Sequence, residues 1–361
     1  MPARIIGMIG TQQEGIAVHL IKGQISRQWV IDFTRLHEQW NYDSVLVGYY
    51  ASAAEGFAIA LYAADHTERI KFLIAHRPGS VAPALAARQV ATFDQLTQGR
   101  MALHIIAGTS DADQASEGDF LPKNDRYRRA GEYLDVMRKL WTNDSPIDHH
   151  GEFYRVEGGY SDIKPYQQPC PPFYFGGASD AAKNVGAEET DVYLLWGEPL
   201  EMVRERIAEM RERAAAVGRT LRFGLRIHVV VRETEAEAWD AADALIANIP
   251  EGFQQMMERH KSKVDSEGEK RQIQLREGKG EDLVLAPNLW AGIGKARLGV
   301  GTALVGSGEN VAHRLQEYID EGIDTFILSG YPHREEAQRF GKYVMPHFAG
   351  KRVVAGSASG S

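Results

Sequence analysis

The sequence predicts a closed (β/α)8 barrel, the TIM fold, on three observations. Eight short apolar runs alternate with longer segments of helical period, the pattern of parallel strands joined by crossover helices. The glycine fingerprint of a doubly wound dinucleotide-binding sheet is absent. Its nearest string, Gly292-Ile293-Gly294, runs on to Arg297 where a third glycine is needed, and no strand is predicted before it. The length of 361 residues suits one barrel with insertions.

The predicted strands are IIGMIG (5–10), DSVLVGY (43–49), KFLIAH (71–76), MALHIIAG (101–108), PFYFGG (172–177), VYLLWG (192–197), FGLRIHVVV (223–231) and TFILSG (325–330). Helical patterns lie between them. In 81–98, Leu85, Gln89, Phe93 and Leu96 fall near one face, with Pro83 near the start and Gly99 as a stop. In 200–215, Val203, Ile207 and Met210 keep the i, i+4, i+7 spacing. In 308–321, Val311, Leu315, Tyr318 and Ile319 repeat it, and Ser307 is the expected N-cap. Two stretches break the alternation. Residues 144–170 read as an extended, hairpin-like insertion. Residues 250–300 are polar, helical in their first half and loop-like at their end, and read as an active-site lid. One domain is expected over 1–350, followed by a flexible low-complexity tail, 351–361.

Composition narrows the function. Hydrophobic residues make up 43% and charged residues 25%, an ordinary globular balance with no apolar run long enough to span a membrane. The net charge of −8 and the lack of a basic block argue against nucleic acid as a partner. An anionic ligand would have to be drawn by locally placed cations. The single cysteine, Cys170, excludes an intrachain disulfide. Together with the lack of a secretory h-region, it points to the cytoplasm.

In a parallel barrel, functional groups gather at the C-terminal ends of the strands. Arg226 and His228 stand two apart in an apolar strand, so both face one side, opposite Leu225, Ile227 and Val229. A cation and an imidazole pointing into a barrel interior are costly unless they meet an anion. The alternative is a buried Arg satisfied by an Asp or Glu of another strand. Trp196 ends the sixth predicted strand, and Tyr331 and His333 follow the eighth. Each alone reads as packing or a turn anchor; their shared end of the barrel makes them candidates. In PFYFGGASD, Gly176, Gly177, Ala178 and Ser179 connect a strand to a helix N-terminus, a phosphate-binding arrangement that is equally a plain capped turn. Arg297 lies in a Gly-rich stretch and reads as a surface charge or as a clamp over a charged substrate.

The strings RFGLRIHVVVRET, YLLWGEP, PFYFGGASD, PNLWAGIG, GTALVG and ILSGYPHREEA resemble, in order and spacing over about residues 5–347, the FMNH2-dependent alkanesulfonate monooxygenases of the bacterial luciferase-like superfamily. The resemblance implies a homodimeric or homotetrameric barrel that receives FMNH2 from a separate NAD(P)H-dependent flavin reductase. It uses O2 as co-substrate and acts on a small-molecule sulfonate, yielding an aldehyde or ketone and sulfite. It also implies catalytic roles for Arg226, His228, Arg297 and Tyr331, substrate contact by Trp196, and FMN binding by Tyr127, Gly176, Gly177, Ala178 and Ser179. No metal is expected. His104 stands where the family often has a flavin-proximal Asn.

The departures concern the pocket mouth. A family Gly-Arg-Ser-Cys-Glu string is replaced by Tyr49-Tyr50-Ala51-Ser52-Ala53-Ala54-Glu55, and a Pro-Thr-His-Gly string by Gly10-Thr11-Gln12-Gln13. With His333, these residues add hydrogen-bonding groups and make Gln12, Tyr49 and His333 candidate substrate contacts. A polar mouth suits a hydroxylated sulfonate and resembles the sulfoquinovose monooxygenase branch. The alternatives are a simple alkanesulfonate monooxygenase, a deazaflavin-dependent oxidoreductase of the same superfamily, and a non-catalytic anion-binding barrel.

Overall fold

The computed structural model describes residues 3–12, 25–107, 110–261, 264, 266–277, 283–297 and 299–349. Its strands are β1 (Arg4–Ile9), β2 (Ser44–Val47), β3 (Lys71–His76), β4 (Met101–Ile105), β5 (Ile147–His150), β6 (Arg155–Gly159), β7 (Phe173–Gly176), β8 (Val192–Trp196), β9 (Arg222–Arg232), β10 (Val284–Ala286), β11 (Leu289–Trp290), β12 (Ala303–Ser307) and β13 (Thr325–Ser329). Eight of these, β1-β2-β3-β4-β7-β8-β9-β13, pair in parallel, and β13 returns to β1 to close the ring. They are the eight predicted strands, most of them trimmed by one to three residues. The fold is a (β/α)8 barrel.

Alternation along the strands sorts the side chains into two layers. Ile6, Leu46, Leu73, Ala75, Tyr174, Val192, Leu194 and Ile327 form the cluster that fills the barrel. Their strand neighbours Ile5, Val45, Phe72, Phe173, Tyr193, Leu225 and Phe326 pack outward under the helices. The register pairs Arg226 with both Trp196 and Ile327, and His228 with Ser329. The inward set therefore changes from hydrocarbon to polar toward the C-terminal end.

The helices follow local rules. The Leu200–Ala216 helix buries Val203, Ile207 and Met210, and the Gly308–Asp320 helix is capped by Ser307, whose hydroxyl accepts the Asn310 N–H. The Pro83–Leu96 helix corrects its predicted stripe. Leu85 and Leu96 are exposed, and the buried face is Ala86, Ala87, Val90, Ala91 and Phe93. Small alanines let this helix lie close to the Lys123–Thr142 helix, whose Trp141 Nε1 donates to the Ala87 carbonyl at 2.9 Å, which outweighs the bulk of the leucines. Gln98 and Gly99 turn the chain out of the helix with φ of 52° and 86°.

The strand that sequence periodicity misses is β12. It is parallel to β9 over Ala303–Ser307, beside its C-terminal half, while β8 pairs with the N-terminal half. Its residues ALVGS lie inside a Gly-rich run and look like loop. The loop-like end predicted for 250–300 contains the antiparallel β10–β11 hairpin and a 3-10 turn, Gly292–Lys295. A strand thus does precede Gly292, but an antiparallel one of two residues, which offers no dinucleotide site. The helices Glu251–Lys261 and Glu267–Gln274 occupy the earlier part of this insertion. Residues 147–159 form the β5–β6 hairpin. Among the described residues no helix is long and apolar enough to cross a membrane.

Candidate active site

Arg226 and His228 project from β9 into the barrel near its C-terminal mouth. Arg226 is only 9% exposed, and its guanidinium donates to the carbonyls of Ile227 (2.9 Å) and Ile327 (3.2 Å) and to Ser329 Oγ (2.6 Å). Among the described residues it has no carboxylate partner, so the salt-bridged alternative is excluded. Burial, reinforced by Arg297, pulls its pKa down to about 9, still high enough to keep the charge at neutral pH. The site therefore holds a desolvated cation whose neighbours are dipoles rather than an anion.

His228 is buried and neutral. Desolvation, then the charges of Arg226 and Arg297, hold its pKa well below the usual imidazole value. Nδ1 lies 3.1 Å from the Ser329 carbonyl oxygen, which can only accept, so the proton sits on Nδ1. Nε2 is then an acceptor, buried and without a partner among the described residues. Tyr331 stacks 5.8 Å from His228 and 4.5 Å from His333. Arg297 Nη1 donates to Tyr331 Oη at 2.5 Å. His333 Nδ1 donates to the Gly330 carbonyl (2.5 Å), and burial beside the arginines lowers its pKa to about 3.

Trp196 is level with Arg226 on the adjoining strand, and its ring borders Gly268 of the Glu267–Gln274 helix. Arg226, His228, Arg297, Tyr331, His333 and Trp196 thus share one end of the barrel. Ser329, which holds both Arg226 and His228, escaped the sequence reading. Its signal was there: it is the last inward position of β13, in register with His228.

The other predicted residues ring the same mouth. Gln12 lies beyond β1, half-buried; Gln13 falls outside the described residues. Tyr49 follows β2, donates to Glu117 Oε1 (2.5 Å) and stacks 4.5 Å from the Arg77 guanidinium, which itself pairs with Asp113 and Glu117. Tyr50 and Ser52 are exposed, and the Tyr50 phenol lies near enough to Arg226 to act on its charge.

His104 projects inward from β4, two residues below the level of Gly176 on β7. Its Nδ1 is buried without a partner among the described residues, and desolvation, helped by Arg226, lowers its pKa to about 4. Beyond β7, Gly176 and Gly177 are imposed by contact. A Cβ on Gly176 would sit 2.9 Å from the Leu194 carbonyl, and one on Gly177 would sit 2.5 Å from Ala182 Cβ and 3.5 Å from Tyr127 Oη. The bare turn Gly176–Ser179 leads into the Asp180–Glu189 helix, where Ser179 Oγ accepts the Ala182 N–H at 3.3 Å. Ala178 lies in that turn, half-buried. A glycine turn at a helix N-terminus beside a tyrosine hydroxyl fits an anionic phosphate, and the orphan His104 nitrogen fits a polar ring edge.

A luciferase-like monooxygenase profile matches residues 7–325. The chain belongs to the luciferase-like monooxygenase family. Solved structures of the same fold include riboflavin lyase RcaE with modified FMN and riboflavin (17% identity, TM-score 0.79, 97% of this chain and 92% of that one). DmoA from Hyphomicrobium sulfonivorans is similar at 20% identity and TM-score 0.75 over 97% and 88% of the two chains. An F420-dependent secondary alcohol dehydrogenase is similar at 17% identity and TM-score 0.69 over 96% and 99%. At such identities these likenesses establish the fold, while the family match places the chain among the luciferase-like monooxygenases.

Proposed function

We propose that this chain is an FMNH2-dependent monooxygenase that cleaves the C–S bond of an organosulfonate. Sulfonate, O2 and FMNH2 give an aldehyde or ketone, sulfite, oxidised FMN and water. One oxygen atom enters the carbonyl and the other leaves as water. The observation that carries this reading is Arg226: a buried, charged guanidinium with no carboxylate partner among the described residues, and under the charge of a second cation, Arg297. A sulfonate is a permanent anion and would take charge-assisted hydrogen bonds from both.

When bound, reduced FMN supplies the two electrons that activate dioxygen. Tyr127 and the Gly176–Ser179 turn would hold its phosphate, and His104 would meet its ring system. The buried His228 Nε2 would accept a proton from the substrate carbon bearing sulfur or from a nearby hydroxyl. Tyr331 Oη, fixed by Arg297, orients a proton across the same space. The insertion helix, whose Gly268 borders the Trp196 ring, would shield the site from water on one side.

The candidate substrate is sulfoquinovose, a six-carbon sulfosugar, because Gln12, Tyr49 and His333 present polar atoms around the mouth; a simple alkanesulfonate is the competing choice. A separate NAD(P)H-dependent flavin reductase would supply FMNH2, and a cytoplasmic homodimer or homotetramer is the proposed assembly. The test is sulfite release from sulfoquinovose, hexanesulfonate and methanesulfonate with a generic flavin reductase, FMN and O2. Sulfite with FMNH2 but not with reduced deazaflavin supports the assignment; none from any sulfonate overturns it. A tenfold higher kcat/KM for an alkanesulfonate, about 1.4 kcal/mol, would remove the sulfosugar alone.

A further inference from the structure

The Glu267–Gln274 helix reads in sequence as a solvated charge run, EGEKRQIQ, yet two of its polar side chains are buried: Glu269 at 6% and Gln272 at 1% exposure. Together with Arg276 in the turn that follows, these residues are spaced i, i+3, i+7, one face of a helix. That face meets the backbone on both sides of Arg297. Glu269 Oε1 accepts the Gly299 N–H at 3.4 Å, and Gln272 Oε1 accepts the Gly301 N–H at 3.0 Å. The Arg276 guanidinium leaves no room for a Cβ at Gly294 or Gly301, where one would fall 2.1 and 2.7 Å from its Nη1.

The same helix is fixed to the end of β8. Gln272 Nε2 donates to the Gly197 carbonyl (3.1 Å), which also accepts from Thr302 Oγ (2.8 Å). Arg271 donates to both Glu198 oxygens, at 3.0 and 2.5 Å. Thr302 in turn accepts the His228 N–H through its carbonyl at 3.1 Å. The Gln272 amide therefore uses both ends, one on the strand end that carries Trp196 and one on the segment that carries Arg297. Buried amides spent in this way define position rather than solubility.

We propose that Gln272, seconded by Glu269, is a positioning residue that sets the Arg297 guanidinium over Tyr331 and thereby sets affinity for the anionic substrate. This rests on the sulfonate reading of the site. Gln272 touches no reacting atom; it acts through Arg297. Such a role differs from general support of the fold because its effect must vanish once Arg297 is gone.

The test is a double-mutant cycle on the flavin-free protein, read as Kd for hexanesulfonate by titration calorimetry. Gln272→Met keeps the length and removes both hydrogen bonds. It is expected to weaken binding about tenfold in the wild-type background and less than twofold in Arg297→Ala. A parallel steady-state measurement should show KM rising by a similar factor with kcat changed less than threefold. Equal weakening in both backgrounds, or no weakening in the wild type, overturns the positioning role and leaves the sulfonate reading intact. Where the wild type does not bind hexanesulfonate the cycle is run with sulfoquinovose; failure of the wild type to bind either, or unchanged binding in Arg297→Ala alone, overturns the sulfonate reading and this inference with it. Should the Met variant fold incompletely, Glu269→Gln carries the same cycle, with an expected two- to fivefold loss that disappears in Arg297→Ala.

Discussion

Arg297 donates a 2.5 Å hydrogen bond to the Tyr331 hydroxyl, and its guanidinium carbon lies 5.7 Å from the centre of that ring. A residue of the insertion is thereby joined to the loop after the last barrel strand. Arginine is a donor only, so the tyrosine oxygen accepts here. Tyr331→Phe removes an acceptor for a charged donor, an effect of about 1.5–3 kcal/mol. The expected result is a 10- to 100-fold fall in kcat/KM for sulfite release. Arg297→Lys should lose a comparable amount, because an ammonium cannot reproduce the planar fork. Steady-state sulfite assays on both variants check this.

Arg226 sets function against stability. Its charge is buried among carbonyls and a serine, with no carboxylate among the described residues to offset the desolvation. Arg226→Met is therefore expected to raise the Tm of the ligand-free protein by a few degrees while lowering kcat/KM at least a hundredfold. Calorimetry and the sulfite assay on one preparation decide it; a lower Tm would show that the guanidinium is a net structural asset.

His228→Ala should abolish sulfite release, leaving a soluble, folded barrel. The ring contributes a bare Nε2 rather than packing volume alone. His228→Gln, which offers an amide in its place, should recover binding of the sulfonate but less than a tenth of the turnover. Near-normal kcat/KM in either variant would remove His228 from the chemistry.

Acid should unfold the protein early. Burial pulls the pKa of His37 and His76 down to about 4 and of His333 to about 3, and holds His228 well below the ordinary value. In the unfolded chain these rings bind protons below about 6.5, whereas in the folded chain His37, His76 and His333 do not until about 3–4, and His228 only well below its ordinary range. Their stabilising effect is thus complete above pH 6.5 and lost progressively as pH falls toward 4. Each contributes on the order of 1.4 kcal/mol per pH unit in that window. The Tm should fall by about 10 °C or more between pH 7 and pH 5. A flat Tm over that range would contradict neutral buried imidazoles.

Purified protein should be nearly colourless. The Gly176–Ser179 turn, Tyr127 and His104 offer a phosphate turn and a polar edge, with no cysteine or histidine presented for covalent attachment at that turn. Flavin would then come and go as a substrate. Absorbance at 450 nm after dialysis should indicate well under one flavin per chain, and anaerobic titration should give tighter binding of FMNH2 than of FMN.

The barrel could be read from sequence because each strand is a short apolar run and alternation survives even where it carries Arg226 and His228. The strand-end rule then placed Trp196, Tyr331 and His333 at one mouth. Local pattern failed where packing overrode it. The alanine face of Pro83–Leu96 was hidden by two exposed leucines. The five residues of β12 were hidden among glycines, and Ser329 carried no chemical oddity of its own. Gln272 and Glu269 were hidden for a different reason: polar residues in a polar run look solvated, and only the neighbouring backbone reveals that they are buried.

The long strand β9 is shared, one half with β8 and the other with β12. The chain between β9 and β12 therefore departs and returns side by side, about 70 residues apart in sequence and one strand spacing apart in space. Such an excursion behaves as a cassette. Its length and content can change at small entropic cost, since closing a longer loop adds only about 0.6 kcal/mol per doubling, and the eight ring strands keep their register. Arg226 and His228 belong to the frame, Arg297 to the cassette. Exchanging the cassette between barrels of this architecture would change the residues brought to the mouth from the insertion without disturbing those carried by the frame.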